Sequence, residues 1–143
     1  DLNGAFLTAQ VAQHIMRRHN HGGSIIMTSS LSGYNANFIG GGPSPVCTYG
    51  TAKAGISQMA RYMAAGLAPY GIRVNTISPG YIWSGIHEGV MDKTGHDMCL
   101  EVVPIKRFGT TDELQGALLF LASDASSYVT GINIPIDGGY SIY

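Results

Sequence analysis

The chain has 143 residues, about one small domain by length. Hydrophobic residues make up 45% and charged residues 12%, which excludes a disordered chain. The formal net charge is −1 and no run of Lys or Arg occurs, so neither nucleic acid nor a membrane surface is expected as a partner.

Leu7, Val11 and Ile15 recur four apart with Phe6 beside them, which predicts a helix from Leu2 to Arg18. Asn20-His21-Gly22-Gly23 stops it. Ser24-Ile25-Ile26-Met27-Thr28 is a short apolar run suited to a buried strand. A loop rich in Gly, Ser, Asn and Pro spans Ser32 to Pro45 and includes Gly40-Gly41-Gly42-Pro43. A long helix is expected from near Thr48 to Leu67, with Ala52, Ile56, Met59, Ala60, Met63 and Leu67 on its apolar side. Pro69 and Gly71 end it, and Ile72 to Ile77 reads as the next strand, closed by Pro79-Gly80. Tyr81 to Phe108 reads as irregular, with a weak helical pattern from Ile86 to Met91. Thr110-Thr111-Asp112-Glu113 is expected to cap a helix bearing Leu114, Ala117, Leu118 and Leu121. Ile132, Ile134 and Ile136 alternate in a last strand, which Pro135 assigns to a sheet edge. Alternating strands and helices predict an α/β fold, a parallel sheet covered by helices on both faces. There is no internal repeat and no interdomain linker.

Tyr49-Gly50-Thr51-Ala52-Lys53 is the central motif. Residues four apart on a helix share a face. A phenol is a poor proton shuttle at neutral pH, and a neighbouring ammonium favours its phenolate. A Tyr/Lys pair at this spacing therefore suits acid/base work, although alone it is a weak signal. Upstream, the strand ending at Thr28 delivers Ser29 and Ser30 at its C-terminal end, where ligands of open α/β sheets bind. Downstream, Asn75-Thr76-Ile77-Ser78-Pro79-Gly80 puts a tight turn at the end of the next strand.

In order and spacing, Asn3, Ser30, Tyr49-x-x-x-Lys53, Asn75-x-x-x-Pro79-Gly80 and Asp137-Gly138-Gly139 resemble the short-chain dehydrogenase/reductase family from its middle to its C-terminus. The resemblance implies a doubly wound Rossmann-like fold, of which residues 1–143 form the second half, a partial catalytic domain. It also implies hydride transfer between NAD(P)(H) and an alcohol or carbonyl. Tyr49 would be the acid/base, Ser30 would hold the substrate oxygen, and Lys53 would bind the nicotinamide ribose and tune Tyr49. Asn3 would anchor a water that relays protons from Lys53. Pro79 and Gly80, with Ile82 and Ser84 after them, would touch the nicotinamide carboxamide. Ser29 is the rival to Ser30, which is preferred as the later of the pair, and Ser32 is a distant third. The long interval between Ser30 and Tyr49, with its Asn37-Phe38 segment, and the run Leu121 to Gly131 resemble the fungal sugar and polyol reductases, such as mannitol dehydrogenases and sorbose reductases. That subgroup implies a small polyol or ketose as substrate, NADP(H) rather than NAD(H), and a homo-oligomer, a tetramer or dimer.

The sequence departs from the family in one large respect. It has no Gly-x-x-x-Gly-x-Gly turn after a first strand, and Gly40-Gly41-Gly42 follows a loop and runs into Pro43. It also lacks an initiator Met. A truncated chain is therefore expected, with exposed sheet edges and unpaired apolar helix faces, inactive by itself. Two cysteines, Cys47 and Cys99, are too few for a disulfide framework and fit reduced thiols in a cytoplasmic protein. No signal peptide or bilayer-spanning run is present in these residues.

The remaining polar groups read as structural. His14, His19, His21, His87 and His96 lack a metal-ligand spacing. Glu88 and Asp92 fit a solvated helix face, and Asp112 and Glu113 fit a first helical turn. Asn75 is expected to order backbone, and Asp137-Gly138-Gly139 to shape the last turn and a subunit contact. Trp83, Ile86, Met91 and Met98 divide between core and substrate pocket. The alternatives to a reductase are an NAD-dependent epimerase or dehydratase using the same Tyr/Lys pair, and a non-catalytic binding subunit of the same fold.

Overall fold

Helices and strands alternate along the chain in a computed structural model that describes residues 1–36, 46–85 and 93–142. The order is α1 (Leu2–His19), β1 (Gly23–Thr28), α2 (Cys47–Leu67), β2 (Ile72–Pro79), α3 (Lys93–Val102), α4 (Gln115–Ala122) and β3 (Asn133–Ile136). Short 3-10 turns occur at Leu31–Gly33, Ala68–Tyr70, Thr111–Leu114, Asp124–Ser126 and Tyr140–Ile142. The Gly40-Gly41-Gly42-Pro43 loop, the Asn37-Phe38 segment, the helical pattern over Ile86 to Met91, His87 and the Glu88/Asp92 pair lie outside the described residues.

Among the described residues the sheet has three parallel strands, in the order β1-β2-β3. Thr28 lies opposite Ile77, and Pro135 lies opposite Ser78. Among the described residues β3 pairs with β2 alone, the edge position that suits a proline without an N–H. Ile25 and Met27 of β1 and Ile72 and Val74 of β2 pack under Ile56, Ala60, Ala64 and Leu67 of α2, and Ala9 of α1 joins them. The alternate face carries Ser24 and Arg73, which reach α4. The helices therefore cover both faces, as the alternation predicts.

The sequence reading assigns α1 no inner face. The stripe Leu7, Val11 and Ile15 is more than half exposed, and α1 turns Ala5, Ala9, Ala12 and Met16 inward. Both stripes have helical spacing, so periodicity identifies the helix but not its inner face. The alanine face wins because small side chains let α1 approach α2 and the sheet closely. One expectation needs correction: α3 is a helix inside the region expected to be irregular. Its first turns carry Lys93, Thr94, Gly95, His96 and Asp97, and Cys99 is its one buried residue. Its apolar residues Met98, Cys99, Leu100 and Val102 all fall in its last five positions, too short a stretch for a period to be read along the chain.

Other local signals hold. Asn20 ends α1 in the left-handed region with φ 54°, its N–H on the carbonyls of Met16 and Arg17. Thr110 and Glu113 form a capping box, although the first turn after it is 3-10 and α4 begins at Gln115. Arg107 donates to both Glu113 carboxylate oxygens, at 2.8 and 2.6 Å, and the Thr110 N–H donates to Oε2 at 2.8 Å. The Arg107 bonds, followed by the Thr110 N–H, lower the Glu113 pKa from 4.5 to about 2. The folded value is depressed, so this contribution is fully present above pH 4.5 and disappears as pH falls through about 2. Carboxyl-carbon NMR of the folded protein should show Glu113 ionised down to that range. A midpoint near 4.5 would mean that the Arg107 clamp does not persist in solution.

Candidate active site

The site is built at the C-terminal ends of β1 and β2, where parallel strands release their last carbonyls. The α2 helix begins at Cys47, so Tyr49 sits in its first turn and Lys53 one turn further on. The Lys53 ammonium lies 5.5 Å from the Tyr49 ring centroid and donates to the Thr28 carbonyl at 2.9 Å. That bond ties the helix to the end of β1. Tyr49 is 39% exposed, facing out of the protein.

Two glycines let the helix approach the chain that follows β1. A Cβ on Gly50 would lie 2.7 Å from the Ser32 carbonyl oxygen, and one on Gly33 would lie 2.9 Å from the Ala54 nitrogen. Backbone therefore meets backbone between α2 and the turn Leu31–Gly33. Ser30 caps that turn, its Oγ accepting from the Ser32 N–H at 3.2 Å. Among the described residues the Ser30 hydroxyl donates to no other group, which leaves its proton for a ligand oxygen. Ser29 differs. It is almost fully buried, and its hydroxyl donates to the Lys53 carbonyl at 2.8 Å and accepts from the Ser57 hydroxyl at 2.8 Å. Ser29 therefore fastens the strand end, whereas Ser30 presents a donor.

Pro79 ends β2 opposite Ile136, and the Gly80 N–H continues the pairing onto the Ile136 carbonyl at 2.9 Å. A Cβ on Gly80 would fall 2.5 Å from the Asp137 Cα, so this turn requires glycine. Ile82 forms an isolated parallel bridge with Gly109, and half-buried Ser84 follows. Asn3 is exposed in the first turn of α1 and makes no hydrogen bond to Tyr49 or Lys53 among the described residues. The neighbouring Leu2 packs over Gly55, so this turn lies beside the Lys53 helix.

A groove of about 240 Å³ opens beyond the Pro79-Gly80 turn, lined by Ala36, Tyr81, Met98, Cys99, Val102 and Tyr140, with Glu101 at its side. Met98 thus lines a cavity. Trp83 packs edge-on against Phe108 and His96, with ring centroids 5.5 and 6.0 Å away, and remains 42% exposed. Ile86 and Met91 lie outside the described residues. Among the described residues no cluster of three His, Cys, Asp or Glu is placed to hold a metal, and no helix is long and apolar enough to cross a membrane.

Supporting residues behave in part as the sequence implies. Asn75 is fully buried and holds backbone, donating to the Val129 carbonyl and accepting from the Ile132 N–H. Asp137 accepts from the N–H groups of Gly139 and Ser141, which shapes the last turn. Arg73 is not foreseen by the sequence reading. Its guanidinium gathers the carbonyls of Leu121, Ser123 and Val129, closing the C-terminal end of α4 with a cation. Its only signal is a charged residue at the head of a buried strand.

Comparison with known proteins places this geometry among relatives. The family model described as enoyl-(acyl carrier protein) reductase matches residues 1–141. The chain is 44% identical over 140 residues to the sorbose reductase of Schizosaccharomyces pombe, covering 98% of this chain and 52% of that protein. It is 40% identical over 141 residues to an NADP-dependent mannitol dehydrogenase of Hypocrea jecorina, covering 99% of this chain and 50% of the relative. A short-chain type dehydrogenase/reductase structure from Mycobacterium marinum superposes with a TM-score of 0.88 at 43% identity, covering 96% of this chain and 52% of that one. The chain thus spans about half the length of the relatives it matches.

Proposed function

Because the chain belongs to the short-chain dehydrogenase/reductase family, we propose that it carries the proton-transfer half of an NAD(P)-dependent oxidoreductase acting on a secondary alcohol or ketone. The observation that carries this reading is the Tyr49/Lys53 pair on one face of α2, with Ser30 held at the adjoining strand end. The Tyr49 hydroxyl gives a proton to the substrate oxygen during reduction and takes it back during oxidation. Ser30 donates to the same oxygen. Lys53 places a positive charge 5.5 Å from the centre of the Tyr49 ring. Asn3 serves as the anchor of a proton relay behind Lys53.

The residues present fit the nicotinamide-ribose end of a dinucleotide. The Lys53 ammonium has donors beyond the one on Thr28, and Tyr49 presents its hydroxyl outward beside it. Pro79, Gly80, Ile82 and Ser84 edge the same strand end and would face the carboxamide. No glycine-rich phosphate turn follows a strand in these residues. When bound, the nicotinamide supplies or accepts the hydride.

The substrate class is a small polyol or ketose, and NADP(H) is preferred over NAD(H). The likeness to a sorbose reductase and to an NADP-dependent mannitol dehydrogenase supports both choices. The complete protein is a homo-oligomer, for which the exposed apolar side chains of α1 and α4 provide surface. The test is to express the complete gene product and follow NADPH and NADH absorbance with sorbose, fructose and xylulose. Oxidation of NADPH in preference to NADH is expected with at least one ketose, and the 143-residue polypeptide alone is expected to be inactive. Cofactor binding without turnover of any ketose would sink the sugar assignment, and no binding of either cofactor would sink the oxidoreductase.

A further inference from the structure

We propose that Asn133 is a positioning residue for the reaction: its side-chain amide is the central link of a one-way hydrogen-bond chain that sets the Lys53 turn against the two strand ends of the site. This proposal rests on the acid/base reading of Tyr49 and Lys53. The chain runs from the Ser78 hydroxyl to Asn133 Oδ1 at 2.9 Å, from Asn133 Nδ2 to the Ser57 hydroxyl at 2.9 Å, from Ser57 to the Ser29 hydroxyl at 2.8 Å, and from Ser29 to the Lys53 carbonyl at 2.8 Å. Every link donates in the same direction, so each bond polarises and strengthens the next. Ser57 also lies within 3.5 Å of the Lys53 carbonyl, as a second, longer contact.

The ends of this chain give it meaning. Ser29 immediately precedes Ser30, and Ser78 immediately precedes Pro79-Gly80. Four side chains, from α2, β2, β3 and the residue that follows β1, therefore bind together the three segments that carry the proposed site. Ser29 and Ser78 are buried, where polar groups without partners are costly. Further down α2 the inner face is apolar, through Ile56, Ala60, Ala64 and Leu67. The Ser29, Ser57, Ser78 and Asn133 side chains meet at the end of the sheet where Lys53 must be placed. Apolar residues would fill the same space, but only a fully bonded network fixes the helix at one height and rotation. Asn133 suits the centre because its amide offers an acceptor and donors on one rigid plane.

The experiment compares the complete gene product with Asn133→Leu, Ser57→Ala and Ser57→Thr. Asn133→Leu removes both amide contacts at similar volume, and Ser57→Ala is the milder break if the first variant does not fold. Positioning predicts a fall in kcat of about 10- to 100-fold with KM for ketose and cofactor changed less than about threefold, as for loss of orientation at the reacting groups. It also predicts substantial recovery of kcat in Ser57→Thr, which keeps the hydroxyl. Acylation of Lys53 at one fixed pH, read by mass spectrometry, should be faster in Asn133→Leu and Ser57→Ala, because a displaced Lys53 turn loosens the bond from its amine to the Thr28 carbonyl. A lower melting temperature with kcat per folded molecule and the Lys53 acylation rate both unchanged would overturn the proposal and leave a structural network only. If the unmodified protein turns over no ketose, the oxidoreductase reading fails separately. The Lys53 acylation rate then decides the network alone: a change upholds its hold on Lys53, and no change overturns it.

Discussion

Replacing Tyr49 by Phe is expected to lower kcat for ketose reduction by about a thousandfold while leaving the melting temperature within about two degrees. The two halves of that expectation come from different observations. Tyr49 lies in the exposed first turn of α2, and its hydroxyl holds no hydrogen bond to a described residue. Deleting that oxygen therefore strands no partner, and exposed substitutions of this kind stay within about 0.5 kcal/mol. The kinetic loss follows if the hydroxyl is the group that moves the proton. A positioned acid or base contributes about 10²- to 10⁴-fold, and a thousandfold loss corresponds to about 4 kcal/mol of barrier.

The matching substitution of Lys53 is less informative. Its ammonium also holds the Thr28 carbonyl at 2.9 Å, so its loss disturbs the strand end together with the charge. Cofactor-dependent absorbance with the best ketose, measured beside thermal melting, reads both halves of the Tyr49→Phe expectation. Retention of kcat within about fivefold would remove Tyr49 from the proton-transfer role, because no acid/base contribution is that small.

Much of this site is legible in the chain because its key pair is local. Tyr49 and Lys53 lie one helical turn apart, so spacing alone puts them on one face, and the apolar period of α2 supports the helix that carries them. The strand end at Ser29 and Ser30 is legible for a similar reason, a short apolar run followed by small polar residues. Which serine faces the site is not. The two are chemically identical in sequence, and only the fold shows that Ser29 bonds the Lys53 carbonyl while Ser30 caps the next turn. The inner face of α1 is illegible because two apolar stripes compete, and α3 because its apolar residues are confined to its last five positions, Met98 to Val102. The Ser78–Asn133–Ser57–Ser29 chain leaves no trace at all. Its members come from three elements and the residue after β1, up to 104 residues apart, positions 29 and 133, and long-range side-chain bonds have no periodic signature.

The largest stability effect is expected at Asn75, which holds together the approach to the strand that carries Asn133. Asn75 is fully buried, with its Nδ2 3.0 Å from the Val129 carbonyl and its Oδ1 3.1 Å from the Ile132 nitrogen. The same short segment is bound to β2 through Gly131 N to the Val74 carbonyl and Thr76 N to the Ile132 carbonyl. Asn75→Ala leaves the Ile132 N–H without its Asn75 partner and the Val129 carbonyl with the 3.3 Å bond from Arg73, and it opens a cavity besides. An unsatisfied buried group costs about 1–3 kcal/mol, so with the cavity the loss should be about 3 kcal/mol. That is a large share of the 5–15 kcal/mol that holds a typical domain. Asn75→Asp keeps the acceptor for Ile132 but sets a carboxylate oxygen against the Val129 carbonyl, so at pH 7 it should be at least as damaging. Its damage should ease on acidification, when the protonated carboxyl can donate to Val129 again. Urea denaturation of the complete gene product, with the midpoint lowered and the slope unchanged, reads the effect. A loss below about 1 kcal/mol in Asn75→Ala would mean that the two β2 backbone bonds hold the segment without help, and that Asn75 is not what sets the height of β3.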